Sequence, residues 1–188
     1  MVFLTHLPKP FAKSIVIGLL CVLISGLSIR PVFSQAGEYD LKAAFLYNFT
    51  QFVQWPDNAF SAPDTPFQLC IVGEDPFGRI LDDTVTSEFV NNHPIVVRRI
   101  QDIENTTACH MIFVASKTGI PFEAVVQRVA DQPVLLVGEL PDFAQRGGTI
   151  GFQIVNRRIR LEVNLEAARV SNLKISSKLL RLSTIVNN

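Results

Sequence analysis

The sequence is poor in the residues that carry enzyme chemistry. Three cysteines, three histidines and one tryptophan stand among 188 residues. No Cys-x-x-Cys, His-Glu-x-x-His or Gly-x-Ser-x-Gly pattern occurs, so the short motifs of a thiol redox centre, a zinc hydrolase and a serine hydrolase are missing. An excess of charge of either sign is also missing, with 17 basic residues against 17 acidic ones. Without a basic bias there is no electrostatic footprint for nucleic acid. Internal repeats and low-complexity tracts are absent, which excludes a solenoid or a disordered array.

What is present begins with an address. The first 34 residues hold Lys9, Lys13 and Arg30 and no acid, and an apolar run starts at Ser14. A positive segment ahead of an apolar one is the pattern of a secretory signal. Val32-Phe33-Ser34 fits cleavage after Ser34, and cleavage after Ala36 is the alternative. The other reading is an uncleaved anchor, but the run of roughly 15 residues is short for a span of ~20. Leu20 ahead of Cys21 is not the small residue that lipidation requires. Removing residues 1–34 leaves 14 basic against 17 acidic residues in a single domain, residues 35–188. The expected location is therefore outside the cytoplasm.

Export changes how the cysteines read, because Cys70 and Cys109 then sit in an oxidising compartment where disulfides persist. The histidines left are His93 and His110. His110 directly follows Cys109, so on a strand the two side chains point to opposite faces. That is poor geometry for a shared metal, and no metal and no cofactor are expected.

Residues 39–55 read as a helix, with Asp40 as N-cap and Pro56 as stop. Leu41, Phe45, Phe49 and Phe52 recur at helical spacing, and Lys42, Asn48 and Gln51 form a weakly polar opposite face. This is a core helix, or one that offers Tyr47 or Trp55 to a partner. Strands are expected at 67–73, 94–98, 109–115 and 134–137, and helices at 76–85, opened by Asp75 and Pro76, and at 121–130. A helical turn at 141–146 closes on Gly147-Gly148. The period then changes: 149–155 and 158–163 flank Asn156-Arg157 as an antiparallel hairpin with Arg158, Arg160 and Glu162 on its wet face. Helices at 165–170 and 176–185 follow, the last with Leu179, Leu180, Leu182 and Ile185 as its apolar stripe.

Strands alternating with helices predict an α/β fold. The expected form is a three-layer α/β/α sandwich, with a mostly parallel sheet ending in an antiparallel C-terminal hairpin and helix. In a doubly wound sheet the order starts 2-1-3-4, so the strands holding Cys70 and Cys109 are neighbours. The register allows the two Cα atoms within disulfide reach. The bridge is a structural staple, or a redox sensor if it is exposed or strained. The loops after the parallel strands converge where such folds bind ligands. Glu74, Ser116 and Lys117 are the candidate ligand contacts there, although the nearby carboxylates, Glu139 among them, disfavour phosphate.

The blocks Lys42–Pro56 (Lys-Ala-Ala-Phe-Leu-Tyr-Asn-Phe-Thr-Gln-Phe-Val-Gln-Trp-Pro) and Cys70–Gly78 (Cys-Ile-Val-Gly-Glu-Asp-Pro-Phe-Gly) resemble the opening signature and first strand of the YfiR family. Gly147-Gly148-Thr149-Ile150, residues 161–168 and residues 175–182 resemble its later blocks, in the same order. The resemblance implies a non-catalytic periplasmic repressor. It would bind the sensor domain of a membrane diguanylate cyclase or sensor kinase and hold cyclic di-GMP and biofilm formation down. An outer-membrane-associated lipoprotein would sequester it, and a homodimer is compatible. It also implies that Cys70 and Cys109 match a family bridge, whereas a second family bridge has no counterpart, since residues 145–152 lack cysteine. The candidate partner contacts lie on the hairpin and the C-terminal segment: Phe152, Glu162 and Leu173. The rival reading is a small-ligand sensor using the strand-end crevice.

Overall fold

A computed structural model describes residues 35–186 of the chain. The expected signal segment lies outside the described residues. The first element, α1 (Gln35–Phe52), starts ahead of the expected cap and holds Asp40 within its second turn. Its end is not a plain stop at Pro56. Val53–Gln54 peels off as a two-residue strand, β1, which pairs antiparallel with β9 (Lys174–Ile175).

The remaining elements build the main sheet: β2 (Phe67–Val72), α2 (Arg79–Val85), β3 (Phe89–Val90), β4 (His93–Ile100), β5 (Met111–Val114), α3 (Phe122–Arg128), β6 (Leu135–Gly138), β7 (Ile150–Val155), β8 (Arg158–Asn164), α4 (Leu165–Val170), α5 (Ser177–Leu180) and β10 (Ser183–Val186). The strand order is β10-β8-β7-β6-β5-β2-β4-β3. The first two parallel strands, β2 and β4, and the next, β5, thus take the 2-1-3 order of a doubly wound sheet, with β2 between the other two. β7 and β8 form the antiparallel hairpin. Its turn residues, Asn156 and Arg157, both have positive φ (52° and 58°), as the two-residue turn that matches strand twist requires.

The period of two divides the core. Leu69 and Ile71 of β2 and Met111 and Phe113 of β5 face one layer, where Leu46 and Phe49 of α1 and Leu81 of α2 pack. Cys70, Val72, Ile112 and Val114 face the other, against Phe122 and Val125 of α3 and Phe143. Helices therefore cover both faces of the sheet, and no described helix is long and apolar enough to cross a membrane.

Two local expectations are corrected. The helix after β2 begins at Arg79, not at Pro76, because Gly78 sits at φ 55°, ψ −128° and interrupts the turn. Asp75 instead accepts the Phe77 N–H at 2.8 Å and an Arg99 Nε–H at 2.9 Å. The final helix is one turn long. Residues 183–186 leave it as β10, parallel to β8, because the β-branched run Thr184-Ile185-Val186 suits the open edge of β8 better than a helix. Leu182 and Ile185 are consequently exposed instead of forming a buried stripe.

Gly73 ends β2 at φ +99°, and a Cβ there would stand 2.7 Å from the Lys117 carbonyl oxygen. Only glycine allows the β2 turn to lie against the β5 turn. Farther along the sheet, the Phe143 ring lies where Cβ atoms on Gly138 and Gly148 would come within 2.2 Å of it. Gly148 thus makes room for a core aromatic, while Gly147, at φ +104°, closes the turn.

Candidate functional site

The strand-end crevice assembles around Glu139, at the end of β6. The Ser116 N–H donates to its Oε1 at 3.2 Å. The Glu74 N–H donates to the Lys117 carbonyl at 2.8 Å, and the two side chains pair at 3.5 Å in solvent, where such a pair contributes little. Glu74, Ser116 and Lys117 are thus brought together, and the first turns of α1 reach Glu139 beside them. Lys42 places its Nζ 2.5 Å from Glu139 Oε2 and also donates to Glu38. The Tyr39 hydroxyl donates to Glu139 at 3.2 Å. Burial first, and the Glu139 charge second, push the Tyr39 phenol well above its ordinary value, so it remains a donor.

This arrangement corrects the reading of Lys42 as part of a polar outer face. Its side chain is 3% exposed and that of Glu139 is 7% exposed. The signal available in the sequence was Glu38 four residues ahead of Lys42, the spacing of a helical ion pair.

On the opposite face, Cys70 and Cys109 form a disulfide with Cα atoms 5.9 Å apart across a sequence separation of 39. Both residues are buried, the surroundings of a staple. Beside it, the His110 ring is fixed at both nitrogens. The Gln68 N–H donates to Nδ1 at 3.0 Å, and Nε2 donates to the Ala59 carbonyl at 3.1 Å. The Trp55 indole N–H donates to the His110 carbonyl. Phe60 is stacked between His93 at 3.7 Å and His110 at 4.5 Å. Trp55 is therefore a core residue and not a partner contact. Tyr47 is half-buried and donates to Glu88 at 2.6 Å.

The neutral imidazole satisfies both contacts of His110, and burial holds its pKa below the ordinary value, despite the opposing pull of the Ala59 carbonyl. A base with a depressed folded pKa gives stability that is present above its unfolded pKa. That stability is lost as pH falls through the unfolded value toward the folded one. We expect a loss on the order of 1 kcal/mol per pH unit below about 6.5, read from urea midpoints. The loss should be smaller in His110→Gln. An equal pH slope in that variant would assign the titration elsewhere.

Of the three residues expected at a partner surface, only Glu162 lies at the protein surface. Phe152 is 2% exposed and packs against Phe45, Phe49 and Phe113. Leu173 is also buried. Both fill the core layer under α1, because period two points Phe152 inward beside Leu161. Glu162 accepts from Gln153 at 3.4 Å and lines a cleft of about 360 Å³ with Asp142, Val155, Arg160 and Thr184. Ile154, Val155 and Leu182 are exposed apolar residues that the sequence did not point to as surface, because hydropathy alone does not separate a hairpin end from a core. Among the described residues no three His, Cys, Asp or Glu side chains converge as a metal site.

Comparison with known proteins gives a family and likenesses to solved structures. The model of a family described as YfiR/HmsC-like matches residues 39–184. No curated protein matches the chain significantly. Among solved structures, a conserved domain protein from Vibrio cholerae O1 biovar El Tor is similar at 10% identity and a TM-score of 0.49. The alignment covers 80% of this chain and 60% of that one.

Proposed function

The chain belongs to the YfiR/HmsC-like family, and from that membership we propose that it is a non-catalytic, exported regulator that binds the sensor domain of a membrane signalling enzyme. The favoured partner is a diguanylate cyclase whose output the chain represses, with a sensor kinase as the other partner of the same type. The observation that carries this reading is the family match over nearly all of the described residues. In this proposal residues 1–34 direct export and are removed after Ser34 or Ala36. The functional form is then the domain beginning with α1.

The site chemistry supports a binding role over a catalytic one. Lys42 and Glu139 are locked to each other, both His110 nitrogens are held by backbone groups, and the cysteines are joined. None of these groups is left as a free nucleophile beside a base, the pair that covalent catalysis needs. The same packing disfavours the small-ligand reading, since Glu139 at the centre of the crevice is already held by Tyr39 and Lys42 of α1. The hairpin surface around Glu162 and Val155 is the proposed contact.

Direct binding tests this. The purified exported chain, titrated calorimetrically with the isolated periplasmic domain of each membrane diguanylate cyclase and sensor kinase of the same cell, is expected to bind one of them with a Kd of about 1 μM or tighter. Val155→Asp, on the exposed end of β7, should weaken the complex about tenfold without moving the thermal midpoint. No heat and no complex at about 100 μM protein would remove the partner.

A further inference from the structure

The charge of the chain is unevenly placed. Residues 150–188 carry seven basic and two acidic residues, whereas residues 35–149 carry seven and fifteen. Four of the C-terminal arginines gather at one end of the sheet. Arg157 and Arg158 form the turn and first position of the β7–β8 hairpin, and Arg160 lies two residues on, on the same face as Arg158. β10 runs parallel to β8 with Ser183 opposite Leu161, so Arg181 enters from that same end.

All four arginines are exposed. Among the described residues none of them lies within ion-pair distance of a carboxylate. Four other arginines are paired: Arg99 with Asp75 and Asp82, Arg128 with Glu104, Arg146 with Glu123 and Arg169 with Glu166, and the two others described, Arg79 and Arg98, lie on the acidic part of the chain. The carboxylates Asp142 and Glu162 line the cleft beside Arg160, which confines the uncompensated charge to the hairpin end.

Two further features share that end. Ile154, Val155 and Leu182 are exposed there, Leu182 at 71%. β10 is also an edge strand, with one row of backbone N–H and C=O groups left without a neighbouring strand among the described residues. An extended acidic segment satisfies all three features. Its backbone adds to the edge, its carboxylates meet the arginines, and its alternate apolar side chains cover Leu182 and Ile185, the exposed apolar residues on and beside β10. An anionic membrane satisfies the charge and the apolar residues but leaves the edge unpaired.

We propose that the β10 edge and the arginine-rich hairpin end together form a docking site for an extended acidic segment of a partner protein. This rests on the partner-binding reading above and adds the chemistry of the partner.

The test uses a capped, labelled peptide of about eight residues alternating glutamate and valine, followed by fluorescence polarisation against the exported chain. Binding is expected at about 50 mM salt and should weaken at least about fivefold at about 300 mM. Arg158→Glu/Arg160→Glu/Arg181→Glu should weaken it at least about tenfold, with an unchanged circular dichroism spectrum. Arg79→Glu/Arg98→Glu, on the acidic part of the chain, should change it less than about twofold. The same peptide N-methylated along either backbone edge should lose binding in one of the two registers. Equal weakening by both sets of substitutions, or full binding by both methylated peptides, would overturn the site. So would binding to vesicles of about 30% phosphatidylglycerol that the peptide does not displace. If the triple variant still binds the cyclase sensor domain at full strength, the docking site is wrong and the regulator reading stands. If the peptide binds as expected while no sensor domain does, the regulator reading fails by itself.

Discussion

Glu139→Ala is expected to lower stability by about 3–5 kcal/mol, a large share of the margin of a domain this size. The carboxylate accepts from Lys42, from Tyr39 and from the Ser116 backbone, and both Lys42 and Glu139 are almost fully buried. Truncating it leaves the Lys42 ammonium with Glu38 alone and strands two further donors. Removing one member of a buried pair costs far more than the pair contributes, because the remaining charge has lost its water as well as its partner. Lys42→Met combined with Glu139→Leu should therefore recover part of the loss, as both charge-desolvation costs vanish together while the Tyr39 and Ser116 donors still lack Glu139. Glu38 is 19% exposed and can turn to water. Urea unfolding of the single and double variants checks this. A loss below about 1 kcal/mol in Glu139→Ala would mean that the pair behaves like a surface ion pair.

The second large effect concerns the disulfide. Cys70→Ala/Cys109→Ala should cost about 3–4 kcal/mol, since the bridge closes a loop with a sequence separation of 39 and removes that entropy from the unfolded chain. Both cysteines lie in the layer with Ile112, Val114 and Phe122, so the alanines also leave small voids. Two readouts separate the staple from a sensor. Loss of thermal stability with repression kept at low temperature leaves the staple. Loss of repression in a variant that is still folded would give the bridge a signalling role.

What was legible in the sequence was the part that local patterning controls. The apolar run Leu69–Val72 and the run Met111–Val114 name buried parallel strands, and the Asn156-Arg157 turn between two alternating runs names the hairpin. The neighbouring placement of β2 and β5, and with it the pairing of the two cysteines, follows from doubly wound topology. What was not legible depends on distant partners. Lys42 is charged and so reads as outward-facing, yet Glu139, ninety-seven residues away, draws it inside. Residues 183–186 read as helix from the leucines before them, but the free edge of β8 turns them into a strand. Phe152 and Leu173 are apolar at positions where an interface and a core look alike in sequence, and only the seat of α1 on the sheet decides for the core. The functional surface is the least legible part, since its residues are recognised by what they fail to pair with.

The central claim is that an exported, non-catalytic chain restrains a membrane signalling enzyme, and cellular cyclic di-GMP measures that most directly. In cells with the partner cyclase intact, deleting this chain should raise cyclic di-GMP. Restoring the full chain should bring it down, and restoring a chain without residues 1–34 should not. An unchanged level on deletion, with the cyclase present and active, would contradict the account.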